Sequence, residues 1–204
     1  MKSLDRRDSY KIWFDLIIIT VAHILLFPLW LGLWLFIPIL IYLGDQGPVF
    51  YKQNRMGKNR KIFQVIKFRT MIVNADVKGP AWTSKDDPRI TRIGKILRKT
   101  ALDELPELLC ILKGEMSLVG PRALDVEEQI SLEKNIPRFS DRLQVPPGLT
   151  GYAQIYDKLD VAKDKLRYDL EYINRMCVWI DLWILFLSVK NTIFSRWDQR
   201  EGKD

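Results

Sequence analysis

From Leu16 to Leu43 the chain carries no charged side chain, and on both sides of that run it is densely charged. A single helix of that length would reach about 42 Å against a hydrocarbon core of about 30 Å, so a bilayer span is within reach. Pro28 near the middle and Pro38 further on would each remove a backbone hydrogen bond and bend the helix, so the run reads as broken. The flanks set its direction. Lys2, Arg6, Arg7 and Lys11 precede it and Lys52, Arg55, Lys58, Arg60 and Lys61 follow it. One span cannot keep both basic flanks on the cytoplasmic side, whereas a helix that enters, turns near Pro28 and returns can. The pattern favours a re-entrant membrane hairpin over residues 1–44. The run is too long for a cleaved signal peptide, and no small-residue cleavage motif follows it.

After Gly44 the period changes. Gly44-Asp45-Gln46-Gly47-Pro48 is a turn cluster, Val49 to Gln53 and Ile62 to Phe68 read as strands, and Asn54 to Arg60 is the basic turn between them. The expected result is a small β hairpin whose basic residues meet lipid phosphates or simply solvate the surface. Asn74 to Pro88 reads as a polar loop. Ile90, Ile93 and Ile96-Leu97 then follow helical spacing, and a second helix from Pro106 to Leu112 stops at Lys113-Gly114. Residues 123 to 145 look helical and amphipathic. Two prolines and two glycines in Pro146 to Gly151 predict a site-forming loop, followed by a charged helix from Asp160 to Asn174. Met176 to Phe194 is apolar but interrupted by Asp181 and Lys190; Trp179, Trp183 and Trp197 suit a helix lying in the membrane interface, and a buried core helix is the other reading. Spacing marks Phe68, Ile93, Leu97, Leu105, Leu108, Leu109, Leu112 and Leu118 as core. The fold class expected is α+β and predominantly helical, a single catalytic domain at residues 45–197 behind the hairpin, with a tail at 198–204.

Composition narrows the chemistry. With 204 residues, 48% of them hydrophobic, there is material for one core. A formal charge of +7 and a pI near 9.4 point to anionic partners: phosphorylated substrates, acidic lipids or nucleic acid. Cys110 and Cys177 lie in apolar surroundings and do not suggest a disulfide framework. The single histidine, His23, sits in the apolar run, which leaves little material for a histidine relay or a multi-histidine metal site. Carboxylates, basic groups and a hard metal ion remain.

Lys95 to Arg122 supplies them. Asp103 and Glu104 are adjacent, between Arg98 and Lys99 on one side and Arg122 on the other. Pro106 suits a helix's first turn, which places the pair at a helix entrance, where free amides and the macrodipole keep a carboxylate ionised. Such a carboxylate is available as a nucleophile or metal ligand, or it is an ordinary cap. Gly120-Pro121-Arg122 is a rigid turn able to aim one guanidinium at an anion.

Five stretches in register carry a resemblance: Lys67-Phe68-Arg69-Thr70-Met71, Asp86-Asp87-Pro88-Arg89-Ile90-Thr91-Arg92-Ile93-Gly94, Leu102-Asp103-Glu104-Leu105-Pro106, Gly120-Pro121-Arg122 and Pro147-Gly148-Leu149-Thr150-Gly151. Together they resemble the bacterial sugar transferases, the monotopic phosphoglycosyl transferases, in their minimal form. The resemblance implies transfer of a sugar 1-phosphate from a UDP-sugar to a polyprenyl phosphate such as undecaprenyl phosphate, with Mg2+, at the cytoplasmic face of a bacterial inner membrane. It implies that Asp103 is the nucleophile and that Glu104 helps hold Mg2+. Arg98 and Arg122, with Lys67 and Arg69, would bind phosphate groups. Gly120, Pro121, Pro147, Gly148, Thr150 and Gly151 would form the site loops, with Asp169 beside them. Phospholipids are expected partners, nucleic acid is not, and a homodimer is left open. Phe27 stands where many relatives carry Ser, Ala123 where Pro is usual, Tyr152 where Trp is common, and Ile155-Tyr156-Asp157 where Asn-Gly-Arg is frequent, which leaves the sugar open. Two rivals are a non-catalytic membrane-surface protein that binds a lipid phosphate or a partner, and a tethered nucleic-acid binder. The latter lacks any motif beyond its charge.

Overall fold

The computed structural model describes residues 8–75, 77, 87–157 and 161–194. Asp86, Asp160, Trp197 and the tail expected at 198–204 lie outside the described residues, as does most of the loop expected before Pro88.

The apolar run forms two helices, α1 (Ser9–Leu25) and α2 (Phe27–Asp45), broken at Leu26. Pro28 falls in the first turn of α2, where a missing N–H is harmless, so it starts the second helix and does not kink a continuous one. Pro38 does not break the chain either, since α2 runs through it. Among the described residues α2 is the one helix long and apolar enough to cross a membrane.

Both helices return to the same body. His23 stacks on Trp30 across the break, with ring centroids 4.5 Å apart, and the Trp30 indole donates to the Ala22 carbonyl at 3.1 Å. Near the start of α1, Lys11 and Asp15 are buried; near the end of α2, Ile37 and Ile41 are buried, and Trp34 lies edge-on to Phe68. Ile19, Ile37 and Ile41 belong to the core cluster that also contains Phe63, Phe68 and Leu97.

The hairpin is β1 (Phe50–Met56) antiparallel to β2 (Ile62–Phe68), in register from Phe50↔Phe68 to Met56↔Ile62. Its basic turn meets the protein's own carboxylates, Lys58 with Asp8 at 2.7 Å and Arg60 with Glu133 at 2.6 Å. Helix α3 (Arg92–Lys99) is followed by a 3-10 turn, Leu102–Glu107, and by α4 (Leu108–Leu112), which ends at Gly114 with φ +72°. A strand absent from the sequence reading, β3 (Ser117–Val119), runs parallel to β4 (Gly148–Thr150), which sits where only a loop was expected. The expected helix over 123–145 is divided into α5 (Val126–Asn135) and a 3-10 turn, Phe139–Gln144, around Pro137 and a left-handed Arg138. The chain ends its described course in α6 (Tyr152–Tyr156), α7 (Ala162–Arg175) and α8 (Val178–Ile193).

Helix α8 is inverted relative to a helix of a water-soluble protein. Its buried side holds Asp181, Ile184 and Ser188, while Trp179 (79% exposed), Trp183, Phe186 and Val189 face outward. A polar stripe inside and an apolar stripe outside suit an apolar surrounding medium. Apolar side chains of α1 and α2, among them Ile17, Ile24, Leu25, Phe36 and Leu43, are exposed as well. Leu109 and Leu112, expected in the core, are exposed, because helical spacing identifies an apolar face without saying what covers it.

Candidate active site

The site is assembled where α3, the 3-10 turn, β2 and the β3–β4 pair converge. The turn Asp87-Pro88-Arg89-Ile90 brings the chain into position: the Asp87 carboxylate, held down to about 2 by the Arg89 guanidinium, accepts from Arg89 N and Nε at 2.9 and 3.0 Å. Thr91 then caps α3, its hydroxyl accepting from Gly94 N at 2.9 Å, and its own N–H bonds the Thr70 carbonyl at 3.0 Å. Gly94 is required because a Cβ there would lie 2.7 and 2.8 Å from the C and Cα atoms of Thr70 and closer still to its oxygen. One turn later Arg98 Nε donates to Thr70 Oγ1 at 2.9 Å.

After α3, Ala101 adopts φ +54°, a left-handed conformation that costs a residue with a Cβ about 1–2 kcal/mol. The reversal delivers Asp103 and Glu104 into the first turn of a helical segment, as expected from the sequence, but that segment is a 3-10 turn which only then leads into α4. Lys67 of β2 reaches Glu104 Oε1 at 2.6 Å and Glu107 Oε1 at 3.1 Å, and Arg122 Nη2 lies 3.4 Å from Glu104 Oε1. Burial alone would raise the Glu104 carboxyl, but Lys67 and then Arg122 carry it down to about 2. Glu107, which no motif singled out, moves the other way, raised by burial and by the Glu104 charge. Lys67 remains charged against its own burial because both carboxylates oppose it.

Asp103 is half-buried, and among the described residues no cation lies within salt-bridge distance of it. Burial raises its carboxyl, the Glu104 charge adds to the rise, and Lys67 and Arg98 pull it back. The expected lowering by a helix terminus is therefore outweighed. The two adjacent carboxylates have unlike states: Glu104 is locked among cations, and Asp103 is raised and has no ion-pair partner among the described residues.

Arg122 is aimed by the packing of two sequence motifs on each other. Ser117 pairs with Gly148 and Val119 with Thr150, and a further bridge joins Arg122 to Gly148. The backbones approach so closely that a Cβ on Gly120 would meet Gly148 N at 2.8 Å, and one on Gly148 would meet Gly120 Cα at 2.7 Å. Pro147 accepts from Ser117 N at 2.8 Å, Gly151 abuts Gly120, and Thr150 shares a buried 2.5 Å hydrogen bond with Ser188 of α8. A cavity of about 20 Å³, room for one water, lies between Arg55, Lys67, Glu107 and Arg122.

Two predicted site residues serve the scaffold. Arg69 pairs with Asp45 and ties the end of α2 to the end of β2. Asp169 is buried and paired with Arg142 at 2.8 Å. Lys67, Arg98, Asp103, Glu104 and Arg122 are brought together, as are the site-loop residues. Glu107 was legible only as a carboxylate one 3-10 turn after Glu104.

Asp103 and Glu104 offer carboxylate oxygens, the donor type that hard cations take. No group of three or more His, Cys, Asp or Glu side chains able to hold a metal occurs among the described residues. A Mg2+ site built from one or two carboxylates plus substrate phosphates needs no such group.

The sequence profile of the family described as bacterial sugar transferase matches residues 6–195. The chain belongs to the bacterial sugar transferase family. Relatives of this chain include the UDP-N-acetylgalactosamine-undecaprenyl-phosphate N-acetylgalactosaminephosphotransferase of Aeromonas hydrophila, 35% identical over 177 residues, or 85% of this chain and 42% of that protein. The undecaprenyl-phosphate glucose phosphotransferase of Komagataeibacter xylinus is 41% identical, covering 78% of this chain and 32% of that protein. The exopolysaccharide production protein PSS of Rhizobium leguminosarum bv. phaseoli is 42% identical, covering 76% of this chain and 82% of that protein. The chain thus spans less than half the length of the first two relatives and most of the third.

Proposed function

We propose that this protein transfers a sugar 1-phosphate from a UDP-sugar to undecaprenyl phosphate at the cytoplasmic face of a bacterial inner membrane, through a covalent intermediate on Asp103. The observation that carries the reading is the division of labour between adjacent carboxylates. Glu104 is held among cations, and Asp103 is half-desolvated beside them, with no ion-pair partner among the described residues. An Asp103 oxygen attacks the β-phosphorus; the bond to the bridging oxygen breaks, and UMP leaves with the electron pair. An undecaprenyl phosphate oxygen then attacks the same phosphorus, and Asp103 departs as a carboxylate, leaving an undecaprenyl diphosphate sugar. Lys67, Arg98 and Arg122 face the charge that builds on the phosphoryl oxygens, for which the planar guanidinium fork is well suited. Mg2+, held by Asp103 and Glu104, would neutralise diphosphate charge when bound.

The helix pair supports the membrane reading. Its two ends are both fixed to the catalytic body, so a bent insertion that enters and leaves by one face suits it better than a span. With the outward face of α8, it would place the site at headgroup depth, where the acceptor's phosphate reacts while its tail stays in the bilayer.

The test is UMP release from UDP-N-acetylgalactosamine, UDP-glucose and UDP-galactose by purified protein with undecaprenyl phosphate and Mg2+, together with intact-mass analysis after donor alone. The wild type should release UMP with one donor and gain one phosphosugar mass; Asp103→Asn should do neither. No UMP from any UDP-sugar would sink the reading in favour of a lipid-phosphate-binding protein.

A further inference from the structure

The segment that carries Arg122 is gripped on two sides by buried cations for which the proposed reaction has no use. On one side Lys11 of α1, 1% exposed, donates to the Val119 carbonyl at 2.8 Å, to the Tyr172 hydroxyl at 2.7 Å and to Asp181 Oδ2 at 2.9 Å. On the other side Arg142, also 1% exposed, donates through Nη2 to the carbonyl of Arg122 itself at 2.8 Å. Its Nε and Nη1 bond Asp169 Oδ2 at 2.8 Å and Gln129 Oε1 at 3.1 Å. Only Gly120 and Pro121 lie between the two gripped carbonyls.

Buried ion pairs are weak sources of stability, because apolar replacements are often neutral, but they fix direction. Here both cations act on main-chain oxygens. A peptide plane held at each end of a Gly-Pro step determines where the following Cβ points, and that Cβ belongs to the guanidinium that reaches Glu104. A carbonyl is also a demanding acceptor to bury unpaired, which makes each grip specific to one orientation of the backbone.

We propose that Lys11 and Arg142 are positioning residues that aim Arg122, acting through the carbonyls of Val119 and Arg122. The inference rests on the reading of Arg122 as a phosphate-binding group. It also ties the site to the bilayer. Lys11 comes from the first helix of the apolar pair and its counter-ion from α8, whose outer face is apolar, so Arg122 is aimed only when both helices are docked.

The experiment is a set of double-variant cycles read by kcat and KM for UMP release and by the thermal midpoint. Arg142→Lys, and separately Lys11→Met with Asp181→Asn, are each made in the wild type and in Arg122→Lys. Lysine at 142 keeps a charge opposite Asp169 but cannot present a planar fork to three acceptors. Because a misplacement of 1 Å can lower a rate about a hundredfold, kcat should fall roughly tenfold or more when Arg122 is present. With lysine at 122, a flexible point charge less dependent on backbone direction, the same changes should lower kcat by less than about threefold. A merely structural role would lower kcat by the same factor in both backgrounds, and that additivity would overturn the proposal. If Arg142→Lys fails to fold, Gln129→Met, which removes the partner of Nη1 together with a 3.0 Å bond to Glu133, takes its place with the same expected non-additivity, and Glu133→Gln is the control for the second bond. Absence of UMP release by the wild type would refute the transferase reading and the clamp with it; turnover with additive variants would overturn the clamp alone.

Discussion

Gly94→Ala sets two well-known effects against each other. Gly94 lies inside α3, so helix propensity alone predicts a gain of about 1 kcal/mol on replacing it with alanine. The new Cβ, however, would stand 2.7 Å from Thr70 C and 2.8 Å from Thr70 Cα, where ordinary contact begins at 3.4 Å. The obstacle is backbone, and that backbone is fixed by the Thr91 N–H on the Thr70 carbonyl. Overpacking of this kind costs about 1–3 kcal/mol, and the rigidity of the partner puts it at the upper end, so the net loss should be about 2 kcal/mol. For a chain of this size that is a fall of about 4–8 °C in the thermal midpoint. Gly44→Ala is the control, since Gly44 is also helical, in α2, and a Cβ there meets nothing within 4 Å. It should hold or raise the midpoint. The assay is thermal unfolding of both variants in the same lipid nanodiscs, with UMP release measured alongside, because moving α3 off Thr70 also moves Arg98. A Gly94→Ala midpoint equal to or above that of the wild type would refute the close approach and the account of how α3 is seated.

Other outcomes follow from the same geometry. The raised Asp103 carboxyl must be ionised to attack, so kcat/KM should fall as pH drops through a pKa above the ordinary aspartate range. Arg98→Gln should move that acid limb higher, since Arg98 pulls Asp103 down, and an unmoved limb would mean another group titrates. Glu104 has its pKa depressed to about 2 in the fold, so its share of stability is present above the unfolded value and lost as pH falls towards 2. Acid unfolding of Glu104→Gln should show a smaller loss over that window. Asp169→Ala leaves Arg142 buried without its carboxylate and should cost about 3–5 kcal/mol, read by denaturant unfolding of the helical signal. A nitroxide on Phe186→Cys, in a Cys177→Ser background, should be more accessible to oxygen than to a water-soluble nickel chelate in bilayers. The reverse order would place the outer face of α8 in water.

Much of the architecture was legible because it is encoded locally. The hairpin follows from alternation and a turn cluster, the break after Leu25 from a proline in an apolar run, and the end of α4 from Gly114. The site motifs were legible as residue types, and their convergence was not, because the β3–β4 pairing that packs Gly120 on Gly148 joins segments with no strand-like period of their own. Asp181 read as a charge that spoils an apolar helix; it points inward to a lysine 170 residues away, a separation over which no periodicity carries information. Arg142 was hidden for the same reason, its partners lying 13, 20 and 27 residues away. Leu109 and Leu112 show the converse failure, since an exposed apolar stripe and one facing a core have the same spacing.

The pairing of Lys11 with Asp181 has a consequence for biosynthesis. The first helix leaves the ribosome carrying a lysine whose counter-ion is 170 residues behind it, a delay on the order of 10–30 s at ordinary elongation rates. Until α8 emerges, that ammonium lacks the carboxylate it bonds in the finished fold, and its grip on the Val119 carbonyl lacks that support. A product that stops before residue 181 would lack that ion pair and should be less stable than the full fold. The pairing of Lys11 with Asp181 can therefore form only after the last described helix has arrived, so the first and last described helices are locked together late in synthesis.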